Sequence, residues 1–257
     1  MILIGRRFEL ITLFTICAII YYFIQRSRNG NAPNIRPLPA INALKEAVGR
    51  AEEQGKMVHF TTGLSGLETD LAPQTIAGLS IMQRVARICG ELSVPIRYTA
   101  SRSYMIPIAE DIIRSGYSHS AVEPPFSDTV VYVGENQSAF QASVVSYLMT
   151  GKAAVNMMFG GVMAEAINTL GAGAVAGCMQ FAGTARMFYF PFIALLCDYS
   201  LIGEELFAAA STVTGNDVEK GTIKGQDISK FLIIALLSLG ILLTTMGSAL
   251  FRELINW

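Results

Sequence analysis

Charged residues are scarce in this chain, since Asp, Glu, Lys and Arg make up 15% of its 257 residues. An average soluble domain carries about 25%. The formal net charge is −1, and Lys and Arg do not occur in blocks. Binding to nucleic acid requires a clustered basic surface, so the sequence predicts no nucleic-acid partner.

Cysteine and histidine are also few, with four Cys and two His in the whole chain. Their spacing matches neither CxxC nor HxH nor HExxH, and no Ser or Cys stands at a recognisable nucleophile elbow. The cysteines fall in apolar contexts that are typical of buried thiols. The sequence therefore predicts no metal, no cofactor and no catalytic residue.

Two long apolar runs are present instead, one at each end of the chain. Leu10–Gln25 and Phe231–Phe251 contain no charged residue, and about 20 apolar residues suffice for a helix to cross a bilayer. Tyr21–Ile24 occupies the place where a signal peptide would have small residues for cleavage. We therefore expect an uncleaved anchor at the N-terminus and a second membrane helix near the C-terminus.

Basic residues near the two runs predict the orientation, because cytoplasmic flanks are richer in Lys and Arg. The flanks facing the centre of the chain contain Arg26, Arg28, Arg36, Lys45, Lys220, Lys224 and Lys230, and the outer flanks contain Arg6, Arg7 and Arg252. The sequence thus predicts a protein of the cell membrane with two spans and a cytoplasmic central domain.

Between the runs, apolar-periodic helices repeatedly end at glycine and are followed by short apolar segments. Continuous apolar runs are typical of strands that are buried on both faces. The predicted strands are Met57–Thr61, Ile96–Thr99, a run ending before Gly134, Ala153–Phe159, Ala174–Gln180 and Phe192–Cys197. The predicted fold is α/β, an open Rossmann-like parallel sheet of about five or six strands flanked by two transmembrane helices.

The corresponding organisation has five parts. It comprises an anchor at 1–28, a linker at 29–40, a cytoplasmic α/β domain at 41–215, a linker at 216–230 and a transmembrane helix at 231–251.

The segment Arg36–Gly63, the sequence VVYVGENQ and the closing apolar run resemble a family of bacterial and archaeal membrane-anchored proteins with a domain of unknown function. The resemblance extends over nearly the whole chain. It implies a tethered α/β domain and brings no activity and no functional residues with it.

Polar and small residues follow the predicted strands, where ligands bind in open parallel sheets. These candidates are Thr61, Thr62, Ser101, Arg102, Ser103, Glu135, Asn136, Gln137, Gly160, Gly161 and Asp198. Such residues can hold a small anionic or nucleotide-like ligand at helix N-termini. Ser, Thr, Asn and Asp are also ordinary helix caps, which is the alternative interpretation.

Between Asn136 and Cys197 the only charged residues are Lys152, Glu165 and Arg186. Depletion of charge with enrichment of Met and aromatic residues is typical of protein interfaces. The predicted contact residues are Met157, Met158, Met163, Met179, Met187, Phe188, Tyr189 and Phe190. Two alternatives stay open: a further membrane span at 166–185, and a plain core covered by neutral helices.

The C-terminal run contains Gly240, Thr244 and Ser248, a small-xxx-small spacing that lets membrane helices approach closely. This helix can therefore pack against the first span of the same chain or of a neighbouring copy, and exposure of these residues to lipid is the alternative. The leading functional hypothesis is a membrane-tethered scaffold or assembly protein that forms homo-oligomers or is a subunit of a membrane complex, and that has no evident catalytic activity. The alternatives are a sensor or enzyme for a small ligand at the strand ends, and a polytopic transporter component.

Overall fold

The computed structural model describes residues 7–118 and 129–246. The chain divides into two compact units, of which one spans Arg36–Thr214 and the other combines the segments on either side of it.

The central unit alternates helices and strands along the chain. Its strands are β1 (Met57–Thr61), β2 (Ile96–Ala100), β3 (Val130–Tyr132), β4 (Ala153–Phe159), β5 (Met179–Thr184) and β6 (Tyr199–Ile202). Its helices are α2 (Pro39–Asn42), α3 (Leu44–Glu53), α4 (Ala72–Glu91), α5 (Met105–Tyr117), α6 (Gln137–Met149), α7 (Glu165–Val175), α8 (Phe190–Leu196, preceded by a 3₁₀ turn at Met187–Tyr189) and α9 (Glu205–Thr214).

The six strands form one sheet in the order β3-β2-β1-β4-β5-β6, and all neighbouring pairs are parallel. This confirms the predicted open parallel α/β fold. The order reverses between β1 and β4, which is the position where doubly wound sheets bind their ligands. Every residue of β4 is buried, as expected for a central strand that is covered on both faces.

The sheet separates two hydrophobic layers because successive side chains along a strand point to opposite faces. Phe60, Phe159 and the aromatic ring of Tyr98 belong to the larger layer, which α3, α4, α5 and α9 cover. Met158 and Ala182 belong to the layer on the other face, which α7 and α8 cover.

The last strand of the central unit and the helix before it differ from the prediction. We expected a strand at Phe192–Cys197, whereas Phe190–Leu196 is the helix α8 and the strand follows at Tyr199–Ile202. Pro191 stands in the first turn of α8, where its fixed φ angle favours a helix and its missing N–H costs nothing.

The proposed additional span at 166–185 is wrong. Its first half belongs to α7, which ends at Val175, and its second half contains β5, which is buried within the sheet. A membrane-crossing helix would need an uninterrupted helical run over this stretch.

The second unit contains the two long apolar helices α1 (Arg7–Arg28) and α10 (Asp217–Thr245). Both are long and apolar enough to cross a membrane. The segment 216–230, expected to be a linker, is instead the first half of α10, because the Asn216 side chain caps this helix by accepting from the Val218 N–H.

α1 and α10 pack in antiparallel orientation through glycines in the charged first part of α10. A Cβ at Gly221 would meet Phe23 and Ser27, and one at Gly225 would meet Ile20. This GxxxG pair had not been predicted as a contact.

The predicted packing residues lie further along α10. Gly240 is buried, the Thr244 hydroxyl donates to the Gly240 carbonyl at 2.8 Å, and Ser248 lies outside the described residues.

Candidate functional site

The loop after β1 is held in place by buried hydroxyl groups. The Thr61 hydroxyl donates to the Thr99 carbonyl at 3.0 Å, and the Thr62 hydroxyl pairs with the Tyr98 hydroxyl at 2.8 Å. Ser101 at the end of β2 donates to the Gly63 carbonyl at 3.0 Å and is itself buried. These three candidate hydroxyls therefore join neighbouring loops and are fully engaged within the protein.

A cluster of charged side chains lies at the carboxyl ends of β1, β2 and β3. The Arg102 Nε stands 3.1 Å from a Glu68 carboxylate oxygen, and its guanidinium also contacts the Glu135 carboxylate. The Tyr104 hydroxyl donates to the Glu68 carboxylate and accepts from the Leu67 N–H at 2.8 Å. Two carboxylates thus neutralise Arg102, so an anionic ligand would have to displace one of them.

The sequence predicted Arg102 and Glu135 at one sheet edge, and the structure brings them into contact. The remaining candidates of these two loops have other positions. Asn136 caps α6 by accepting from the Ser138 and Ala139 N–H groups at 3.0 and 3.1 Å, and Ser103 and Gln137 are exposed.

The loops after β1 and β4 close against each other at the point where the strand order reverses. The Ser65 hydroxyl donates to the Gly161 carbonyl, and a Cβ at Gly161 would overlap Ser65. Gly160 has a φ of +150° and lies against the Thr62 backbone. The glycines predicted to contact a ligand therefore serve the close approach of two protein loops.

Glu165, at the start of α7, reaches into the same region and is fully buried. Its Oε1 accepts from the Met163 and Leu64 N–H groups at 2.9 and 3.2 Å, and its Oε2 has no hydrogen-bond partner. Burial raises the pKa of this carboxyl, and the accepted backbone hydrogen bonds and the charge of Arg186 oppose that rise. The only feature that distinguishes Glu165 in the sequence is its isolation among neutral residues.

Asp198 does not belong to this edge, which corrects the prediction. It directly precedes β6, and its carboxylate accepts from the Gln180 N–H at 2.7 Å near the start of β5. Because β5 and β6 are parallel, Asp198 lies at the amino ends of the strands. The error follows from placing the last strand before Asp198 and not after it.

A chain of buried polar side chains crosses the middle of the sheet. His59 lies between Asn156 Oδ1, at 2.8 Å from Nδ1, and the Thr99 hydroxyl, at 2.9 Å from Nε2. The Asn156 amide donates to Gln180 Oε1 at 2.7 Å, and Gln180 in turn donates to the Leu170 carbonyl. Desolvation lowers the pKa of His59 to about 4, so this ring is neutral at physiological pH.

The predicted contact residues of the charge-poor half divide into buried and exposed groups. Met157 and Met158 are completely buried in β4 and Met179 is buried in β5, so these three cannot contact a partner. Met157 and Met179 belong to one core layer and Met158 to the other, which explains their apolar character. Met163, Tyr189 and Phe190 are half-buried.

An apolar face nevertheless exists, formed by the 3₁₀ turn and α8. It consists of Met187 (79% exposed), Phe188 (87%), Phe192 (39%) and Leu195 (82%). Ile193 is the buried residue of α8 and fixes this helix to the core. We refer to these four exposed residues as the α8 face.

Within residues 7–118 and 129–246, no group of three or more His, Cys, Asp or Glu side chains is arranged to hold a metal ion. A family model for a domain of unknown function, DUF6754, matches residues 2–255. The chain belongs to this family. No curated protein and no solved structure matches the DUF6754 chain.

Proposed function

We propose that this protein is a membrane-tethered assembly subunit that associates with copies of itself through the α8 face. The observation that carries the proposal is the exposure of Met187, Phe188 and Leu195, each at 79% or more, on one short helix and its preceding turn. Contiguous exposed apolar surface on a soluble domain marks a contact site, because water disfavours it.

Helix α7, which contacts α8, and helix α6, which contacts α7, support the same proposal. The exposed positions of α6 and α7 are neutral, with Ser146, Met149, Asn168 and Val175 among them. Neutral surroundings avoid the desolvation of unpaired charges when two copies approach. Two membrane-crossing helices per subunit would also confine the copies to a plane and raise their local concentration.

The test is the oligomeric state of the full chain in mild detergent, measured by native mass spectrometry. We expect a discrete homo-oligomer, and we expect the double variant Phe188→Ser/Leu195→Ser to dissociate. Both side chains are exposed, so the substitutions should leave the fold intact. Ile76→Ser is the matched control, since Ile76 is 55% exposed on α4, in the layer on the other face of the sheet.

A monodisperse monomer at all concentrations would refute self-association. An oligomer that persists in the double variant would show that another surface holds it together. If the wild type is monomeric and the double variant loses binding to lipid vesicles, the α8 face contacts the bilayer and not a second copy.

A second candidate function is the binding of a small anionic or nucleotide-like ligand at the carboxyl ends of β1, β2 and β3. The convergence of Arg102, Glu68, Glu135 and Tyr104 from separate loops favours it. A ligand of this class would replace one of the two carboxylates as the ion-pair partner of Arg102. The expected result is a thermal shift with a metabolite that Arg102→Ala abolishes, and a broad screen without any stabilisation would contradict it.

A further inference from the structure

A pocket of about 320 Å³ lies within the unit formed by α1 and α10. α1 contributes Phe23 and Arg26, the segment after it contributes Asn31, Ala32 and Pro33, and α10 contributes Lys224. The lining therefore combines two cations and an amide with an aromatic ring and a proline.

The two cations of this pocket are not compensated. Arg26 and Lys224 form no ion pair with any residue in the described ranges, whereas Lys220 on the same helix pairs with Asp217 at 2.9 Å. Two convergent positive charges without a partner attract an anion, and their repulsion is relieved when one binds.

The position of the pocket along the helices decides which anion it suits. Arg26 directly follows the uncharged run Leu10–Gln25, and Lys224 precedes the apolar run that begins at Phe231. Basic and aromatic side chains at such positions lie at the level of lipid headgroups. Close packing at Gly221 and Gly225 holds this part of α10 against α1.

We propose that this pocket binds the phosphate group of an anionic membrane lipid. Arg26 and Lys224 contact the phosphate oxygens, the Asn31 amide donates to an ester or headgroup oxygen, and Phe23 and Pro33 pack against the glycerol and the first methylenes. The apolar part of the lining distinguishes a lipid from free phosphate, which would gain nothing from it.

The experiment uses the full chain in a zwitterionic detergent and native mass spectrometry with added phosphatidylglycerol, phosphatidylcholine or inorganic phosphate. Phosphatidylglycerol should remain bound in preference to phosphatidylcholine. The double variant Arg26→Gln/Lys224→Gln should weaken that binding roughly thirtyfold, as expected for two basic residues near a membrane surface. Both side chains are exposed, and unchanged melting in phosphatidylcholine would verify that the variant is folded.

Arg28→Gln is the matched control, because Arg28 is exposed on the same helix and does not line the pocket. Equal weakening by Arg28→Gln and Arg26→Gln would overturn the proposal, since it would show only general attraction to a negative surface. Equal binding of both lipids would also overturn it, and so would saturation by inorganic phosphate at the concentration at which phosphatidylglycerol binds.

Discussion

His59 on β1 donates its Nδ1 proton to the Oδ1 of Asn156 on β4, at 2.8 Å, in the buried centre of the sheet. The direction follows from the neighbours of Asn156. Its amide nitrogen donates to Gln180, so its oxygen is left to accept. The His59 Nε2 is then the acceptor for the Thr99 hydroxyl at 2.9 Å. Each member of this chain has a partner, which is the condition under which buried polar groups are tolerated.

We expect this histidine to make the protein less stable in acid. Its pKa is about 4 in the folded state and about 6.5 when unfolded. The unfolded chain therefore binds more protons between these values, so stability is fully present above pH 6.5 and falls as the pH drops towards 4. The loss attributable to His59 amounts to roughly 3 kcal/mol.

The measurement is urea unfolding of the detergent-solubilised chain, followed by circular dichroism between pH 4 and pH 8. In His59→Gln this contribution to the pH dependence should disappear, while the other titratable groups are common to both proteins. Parallel pH profiles for wild type and variant would contradict a neutral buried His59.

A glycine in α4 is required by close packing against the sheet. A Cβ at Gly78 would overlap the carbonyl oxygen of Phe159, a rigid backbone atom at the end of β4. Gly78→Ala should therefore destabilise the protein by about 1–3 kcal/mol, as overpacked core substitutions do. Gly49→Ala on α3 is the matched control, because a Cβ there meets nothing within 4 Å.

The control should be stabilised by roughly 0.5–1 kcal/mol, since alanine favours a helix over glycine. Urea unfolding of the two variants beside the wild type measures the difference. If Gly78→Ala also stabilises, α4 is free to move away from β4 and the contact is not required.

Most of the sheet was predictable because its strands are continuous apolar runs bounded by helix-ending glycines. The predicted bounds of β1 and β4 agree with the structure, Met57–Thr61 and Ala153–Phe159. The exchange of helix and strand around Asp198 has a physical cause. An apolar segment of seven residues, such as Phe190–Leu196, has the length of either element, and its composition does not separate them.

Only the parts of the candidate site that follow from the order of strands and loops along the chain could be predicted. Parallel strands place their carboxyl ends at one edge, so the proximity of Arg102 and Glu135 followed from the strand assignment. Glu68 comes from a loop without regular structure, and its contact with Arg102 depends on how that loop folds. The Gly221 and Gly225 contact lies in the charged part of α10, whereas the predicted packing residues Gly240, Thr244 and Ser248 belong to the apolar run.

The buried Glu165 carboxyl should bind a proton more readily in the folded protein than in the unfolded chain. Its pKa is raised, chiefly because burial removes water from the charged form. A raised folded pKa means that the carboxyl contributes stability below its unfolded pKa and loses that contribution as the pH rises through the folded value. Glu165→Gln keeps an oxygen for the Met163 and Leu64 N–H groups and has no charge. This variant should therefore gain stability relative to the wild type as the pH is raised.

Comparison of Glu165→Ala with Glu165→Gln separates the effect of the charge on stability from the effect of the hydrogen bonds. Glu165→Ala leaves the Leu64 and Met163 N–H groups without this acceptor, which costs about 1–3 kcal/mol for the buried Leu64 group at any pH. Urea unfolding at several pH values should then order the two variants with Gln above Ala throughout. Because neither variant has the carboxyl, both should gain stability relative to the wild type by the same amount as the pH is raised. If Gln and Ala are equally stable, the loops after β1 and β4 do not depend on the Glu165 hydrogen bonds, and the carboxyl has no part in holding them together.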